Sequence, residues 1–274
     1  MKNTVYMLNS VDGNQMGSQI ITTAEGRLIV IDGGFDQDAE KLIGYLKKLS
    51  GAEVPHVDAW ILSHPHTDHI SAFLYIMETM PQAVTIDQIY YNFPSAQCVT
   101  RLQPWVDTCL DRFYKDLPLF ADKVVIVTLG DTFDVGDAHF ECLYSPNPEL
   151  TVNAINNASL ILKMTLGGKS VMWLADAGPE EGERLMALYG DTNKLKSDVV
   201  QMAHHGQGGV EKDVYAAIAP SVCLWNTPKW LWDNDAGRGY NTHCWKTFEV
   251  KDWMEELGVR DQYIMWHGDQ VVEL

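Results

Sequence analysis

The chain has 274 residues, 37 acidic against 20 basic, for a formal charge of −17 at neutral pH. That field repels a polyanion unless a basic patch offsets it, and no Lys/Arg cluster is longer than Lys47-Lys48, so nucleic acid is not the expected partner and a small neutral or cationic molecule fits better. No stretch approaches the roughly 20 apolar residues of a membrane-spanning helix, and Met1-Lys2-Asn3-Thr4 leads into a short strand-like run rather than a signal-peptide core, so no membrane partner and a cytoplasmic location are expected.

No repeat, low-complexity tract or linker interrupts the sequence, which reads as one domain over residues 1–274. Strands are expected near residues 3–9, 18–23 and 27–32, a meander that turns at Gly26. Asp38 to Leu49 then reads as a helix with Leu42, Ile43, Leu46 and Leu49 on one face. The apolar run Ala59-Trp60-Ile61-Leu62 is a buried strand, followed by a histidine-rich loop and a helix from His69 to about Thr79. Trp105 to Tyr114 is expected to form a second helix, in an insertion over the site. Short strands follow at 123–128, 139–144, 159–166 and 170–175, then a helix from Pro179 to Tyr189 and a strand, Val199 to Ala203, running into His204. Cys98, Cys109, Cys142, Cys223 and Cys244 are odd in number and lack paired spacing, the pattern of reduced thiols rather than of a disulfide framework or a zinc–thiolate site.

The loop after the buried strand, Ser63-His64-Pro65-His66-Thr67-Asp68-His69, holds three imidazoles and a carboxylate in six consecutive positions. Imidazole and carboxylate are the ligands that zinc-like ions prefer, and a loop leaving a rigid strand can aim several side chains at one point. With two divalent ions, His64 and His66 would hold one and Asp68 and His69 the other. Zinc is the expected metal, with manganese or iron as alternatives.

The run resembles the His-x-His-x-Asp-His signature of the metallo-β-lactamase superfamily, and other stretches are similar to that family's further motifs in the same order. Leu28-Ile29-Val30-Ile31-Asp32-Gly33-Gly34 resembles its first motif, Val171 to Asp176 its strand ending in a metal-bridging aspartate, and Val199 to His204-His205-Gly206 the segment that supplies the last histidine. The resemblance implies an α/β, four-layer αββα sandwich with the ligand loops along one edge. It also implies that Asp32 braces the metal loop and that Asp176 bridges the ions. Within the superfamily the look is closest to the nuclease-like domain of DNA-uptake competence proteins and to phosphorylcholine esterases, through Tyr6 to Asn14, Ser18-Gln19-Ile20-Ile21, Asn156-Asn157-Ala158-Ser159 and the paired histidine.

On this resemblance the metal ligands are His64, His66, Asp68, His69, Asp176 and His204, with Asp68, His205 and His243 in the catalytic set. Strand alternation would send His204 and His205 in opposite directions. His204 is taken as the ligand and His205 as the group that hydrogen-bonds substrate or protonates the leaving group, with the reverse assignment open. His243 resembles a later pocket histidine of competence-type relatives; Asn241 and Thr242 alternatively make it a helix-start residue. Many relatives supply a third histidine to the first ion. The only histidine between His69 and Asp176 is His139, read as a strand residue, which leaves Asn157 or Ser159 to line the gap or to satisfy local backbone. His56 reads as a loop residue and His267 as a turn residue.

Trp225, Trp230, Trp232, Tyr240 and Trp245 crowd one segment. They suit either a cage for a choline-like cation or ordinary hydrophobic packing, with Lys229 and Arg238 as candidate anion clamps. The expected function is a metal-dependent hydrolase using a metal-bound hydroxide, first on a phosphoester and then on a lactone or β-lactam. A non-hydrolytic redox module on the same fold is the alternative. Oligomeric state and substrate identity stay open.

Overall fold

The computed structural model describes residues 2–103 and 108–274. The first half runs β1 (Thr4–Met7), β2 (Ser18–Thr22), β3 (Leu28–Asp32), α1 (Ala39–Ser50), β4 (His56–Leu62), α2 (Thr67–Thr79), β5 (Thr85–Tyr91), α3 (Ala96–Leu102), α4 (Leu110–Asp116) and β6 (Val124–Ile126). The second half runs β7 (Thr132–Val135), β8 (Ala138–Tyr144), β9 (Ile161–Leu166), β10 (Lys169–Trp173), α5 (Pro179–Tyr189), β11 (Val199–Gln201), α6 (Lys212–Ile218), β12 (Val222–Trp225), α7 (Lys229–Trp232), α8 (Thr247–Glu256), β13 (Asp261–Ile264) and β14 (Gln270–Glu273).

Two seven-stranded sheets result, ordered β14-β1-β2-β3-β4-β5-β6 and β13-β12-β11-β10-β9-β8-β7. Each is antiparallel in one half and parallel in the other, the change falling at β3/β4 in the first sheet and at β10/β11 in the second. Parallel neighbours need a crossover, and the crossovers here contain helices α1, α2 and α5. The parallel strands therefore all end on one edge, where the loops into those helices gather.

Alternation along the strands assigns the faces. On β10, Val171 and Trp173 join the core shared with the first sheet, while Met172 packs with Leu185 of α5, Val214 and Ile218 of α6 and Met254 of α8. The same split separates Val199 from Val200 on β11 and Leu224 from Cys223 and Trp225 on β12. On the outer side of the first sheet, Leu42 and Leu46 of α1 are buried, and Phe73 of α2 meets Trp60 of β4 edge to face at 5.2 Å. The architecture is the four-layer αββα sandwich. Helix α1 stops at Gly51, whose φ of 70° suits the left-handed cap and whose N–H bonds the carbonyl of Lys47.

Three boundaries differ from the sequence reading in ways that matter for the site. Helix α2 begins at Thr67 rather than His69, which moves Asp68 and His69 into a helical first turn. Strand β11 stops at Gln201, short of the histidine pair. The helix expected over 105–114 begins at Leu110, and Trp105 lies outside the described residues.

Candidate metal centre

The chain reverses sharply after three of the strands that feed the site, β3, β10 and β11. Asp32 closes β3 with φ 58°, Ala175 precedes Asp176 with φ 46°, and His204 and His205 have φ 47° and 52°. A left-handed backbone costs a residue with a Cβ about 1–2 kcal/mol, so such strain persists only where long-range contacts hold it. Those contacts are present. Gln201, buried at the end of β11, accepts the N–H groups of Leu174 and Ala175 on its Oε1 and donates to the carbonyls of Ala175 and Met202. His204 N–H bonds the carbonyl of Ala175, and the Thr227 hydroxyl bonds that of His205.

His69 and His205 lie at the centre. The carboxylate of Asp32 can only accept, so His69 donates Nδ1–H to its Oδ2 at 2.7 Å; likewise His205 donates Nδ1–H to the carbonyl of Asn226 at 2.9 Å. Both Nε2 atoms consequently carry lone pairs when the rings are neutral, and they face each other at 3.4 Å. Asp176 approaches both, Oδ1 at 3.2 Å from His69 and Oδ2 at 3.4 Å from His205, and Asp68 Oδ2 lies 3.1 Å from His205. Gln15 donates its amide to that same Asp68 oxygen at 2.9 Å.

His64 and His66 form the second arm. Ser63 donates its hydroxyl to Asp32 at 2.7 Å and so receives Nδ1–H of His64 at 3.0 Å. This leaves His64 Nε2 as an acceptor, 3.1 Å from His66 Nδ1 and 3.6 Å from Asp176 Oδ2. One buried carboxylate, Asp32, thereby sets the tautomer of His69 directly and of His64 through a hydroxyl, the outer support that metal-ligating histidines usually have.

The donor set fits a divalent cation. Asp68, His69, Asp176 and His205, all buried, place ligand atoms within 4.8 Å of one another, and His64, the half-buried His66 and Asp176 form an adjoining group within the same distance. Facing lone pairs and carboxylates repel unless a positive charge lies between them. Asp176 Oδ1 is buried without a hydrogen-bond partner in spite of its nearness to His69, as an oxygen reserved for an ion would be. When protons fill that role, burial works against charging the rings, but the carboxylates outweigh it. Asp176 leads Asp32 and Asp68 in holding the His69 pKa well above its usual value, and Asp176 and Asp68 raise that of His205 to about 9. His66, more strongly governed by burial, falls to about 4, and His64 falls well below the usual value for the same reason, helped by His69.

The structure brings together His64, His66, Asp68, His69 and Asp176 as the sequence reading expects, but exchanges the places of the histidine pair. His205 enters the cluster, whereas His204 Nε2 meets Asn156 Nδ2 at 3.2 Å and stays 4.0 Å from Asp176 Oδ2. The expected strand alternation does not apply, because β11 has already ended and two successive left-handed residues turn both rings. Gly206 completes that turn, and a Cβ there would stand 2.5 Å from the Trp225 ring.

Other expectations fall as follows. His139 pairs with Asp134 on the exposed β7–β8 hairpin, and His267 sits in a short turn. His56 is the first residue of β4, not a loop residue, and contacts Thr85 and Asp87. Ser159 accepts the N–H of Asp176, while Asn157 uses its side chain on Val152 and Glu181. His243 starts no helix: α8 begins at Thr247, and the ring of His243 lies 3.7 Å from that of Trp245.

The aromatic segment divides. Trp225 is core, and the rings of Trp232 and Phe248 are already covered by the ammonium of Lys251, at 3.7 and 4.4 Å. Sequence reasoning passed over Gln15, Ser63, Gln201 and Asn226. A signal existed for Gln201 alone, a polar residue inside the apolar run Val199 to Ala203.

Two sheets switching to parallel at a shared edge, with histidines and aspartates at the strand ends, define the metallo-β-lactamase fold. Residues 15–96 match the model of the metallo-β-lactamase superfamily, a stretch that holds Asp32 and the whole His64–His69 run. No curated protein sequence matches. Among solved structures, YhfI from Bacillus subtilis, described as a metallo-β-lactamase fold protein, is 12% identical with a TM-score of 0.55, covering 98% of this chain and 99% of its own. Zinc-bound PqqB from Methylobacterium extorquens is 13% identical with a TM-score of 0.52, over 95% and 88%. CmlA from Streptomyces venezuelae, a diiron β-hydroxylase, is 12% identical with a TM-score of 0.60, and the chain, matched throughout, spans 54% of its length. At these identities the likeness is one of fold. Among the described residues no helix is long and apolar enough to cross a membrane.

Proposed function

We propose that the protein is a metal-dependent hydrolase acting on a small phosphoester or related ester-like substrate. The observation that carries this reading is the buried pair His69 and His205, whose lone pairs face each other between Asp68 and Asp176. Asp68, His69, Asp176 and His205 would hold one ion, and His64, His66 and Asp176 the other. Four imidazoles against two carboxylates favour zinc, with manganese and iron behind it. When bound, such ions acidify a water to serve as nucleophile and polarise the bond under attack.

The chain's own residues supply the rest. Asp32 and the carbonyl of Asn226 keep protons on the outer ring nitrogens, so that the inner ones stay available. Gln15 holds one oxygen of Asp68 and limits its rotation. His204, its side chain 22% exposed beside Asp176 and Asn156, would hydrogen-bond substrate or protonate the leaving group, the role first expected of His205.

Phosphoester chemistry ranks first because the motifs most resemble those of phosphorylcholine esterases; lactone or β-lactam hydrolysis follows. The scattered cysteines support a reducing compartment, the cytoplasm. A second reading, an iron-dependent redox protein, has behind it the fold likeness to the diiron hydroxylase. Elemental analysis combined with hydrolysis of bis-p-nitrophenyl phosphate and p-nitrophenylphosphorylcholine separates them. Two equivalents of zinc or manganese, with turnover abolished in Asp176→Ala, are expected. Bound iron with oxygen consumption and no hydrolysis would give the redox reading first place.

A further inference from the structure

A cavity of about 590 Å³ lies among the segments that follow β5 and β8. Its walls come from the segment after β5, from α3 and from the turn after β8, and include Asn92, Ser95, Gln97, Arg101 and Asn147. Strand β5 pairs in parallel with β4 through Leu62 and Tyr91, so Asn92 and Phe93 leave the sheet one strand away from Ser63 and His64. The opposite flank is tied to the site as well. Gln103, just beyond α3, bonds Asn153 and the N–H of Ile155, next to the Asn156 that touches His204. The volume is that of a small-molecule site.

The charge of this cavity runs against that of the molecule. In a chain with 37 acidic residues, the described residues that line it include no carboxylate and one ionised side chain, Arg101. Another cavity, of about 430 Å³, is lined by Asp58, Asp87 and Asp134 together with Arg27. Arg27, Arg112 and Arg184 each pair with carboxylates, whereas the exposed side chain of Arg101, like those of Arg238 and Arg260 elsewhere, has neither hydrogen bond nor ion pair among the described residues. A guanidinium matches a carboxylate or phosphate through parallel N–H donors, and the amides of Asn92, Gln97 and Asn147 extend the same polarity.

We propose that this cavity is a subsite for an anionic group, a carboxylate or a phosphate, carried by the molecule whose scissile bond lies at the metal cluster. The substrate would be small and would bear negative charge away from the reacting bond, in contrast to the neutral or cationic molecule that overall charge suggests. The assignment to a substrate rests on the hydrolase reading; anion binding by Arg101 does not.

The test has a binding arm and a kinetic arm. Calorimetric titration of the protein as purified with glutarate and with inorganic phosphate, on wild type, Arg101→Gln and Arg101→Lys, reads the site without turnover. Arg101→Gln is expected to weaken one or both anions about ten-fold and Arg101→Lys less, with weaker binding at high salt. The anion affected tells carboxylate from phosphate. Equal binding by wild type and Arg101→Gln overturns the site. In the kinetic arm, methyl p-nitrophenyl phosphate is compared with a p-nitrophenyl phosphodiester whose other alcohol ends in a carboxylate. Arg101→Gln is expected to cut the preference for the charged diester about ten-fold through KM; an unchanged preference overturns the substrate assignment. If wild type hydrolyses neither diester while Arg101-dependent binding holds, the phosphodiester reading falls, and the substrate assignment with it, and the anion site stands.

Discussion

His69 and His205, 136 positions apart in sequence, bring their Nε2 atoms to 3.4 Å, and each ring is oriented by an acceptor on its far side. Neither imidazole could be aimed this way by its own segment. His69 needs Asp32 at the end of β3, and His205 needs Asn226 after β12.

The proposed exchange of the two histidines' roles has a direct consequence for metal content. His205→Ala should drop the purified protein from two equivalents of metal to one, whereas His204→Ala should keep two and lose turnover. Mass-spectrometric metal analysis of both variants decides the matter, and the opposite pattern would restore His204 as the ligand.

Asp32 contacts no proposed ion yet directs three polar groups: the N–H and hydroxyl of Ser63 and the Nδ1–H of His69. Asn at this position keeps the shape but offers one acceptor oxygen instead of two. Asp32→Asn is expected to weaken metal affinity about 10–100-fold, the usual cost of losing such a partner, as read by competition with a chelator.

The metal-free protein should show an unusual pH response. His205 has its folded pKa raised to about 9 and that of His69 is also raised, so the stabilisation from their charged forms is complete below the unfolded value near 6.5 and is lost as pH climbs through 9. Asp68 and Asp176 have lowered pKa values and stay ionised across this window. Thermal melts of chelator-treated protein should therefore show Tm falling from pH 6.5 to 9. Metal competes with the same protons, so the Tm gap between loaded and metal-free protein should widen over that range. A gap that narrows would count against His69 and His205 as ligands.

Gly206 combines a φ of 77° with a Cβ position 2.5 Å from the Trp225 ring. Gly206→Ala meets both left-handed strain and an unyielding buried indole, and should cost about 2–4 kcal/mol in urea unfolding. Because the turn carries His205, the variant should also lose part of its metal before it loses its fold.

The His64–His69 run, Asp32 and Asp176 were legible in the sequence because each lies at or just past the end of an apolar strand, and a ligand-dense loop on a rigid strand has few other uses. The sandwich was legible through resemblance: four strand-end motifs stand in the order that the metallo-β-lactamase superfamily uses, and that order implies the αββα layers. Tertiary structure decided which of His204 and His205 faces the cluster. Alternation holds only while the backbone is extended, and here the hydrogen bonds of Ala175 and Thr227, with the close approach of Gly206 to Trp225, force a left-handed turn. The supports Gln15, Gln201 and Asn226, and the covering of Trp232 by Lys251, likewise join segments remote in the chain. Side chains of ordinary type acquire such roles only from the partners that folding sets beside them.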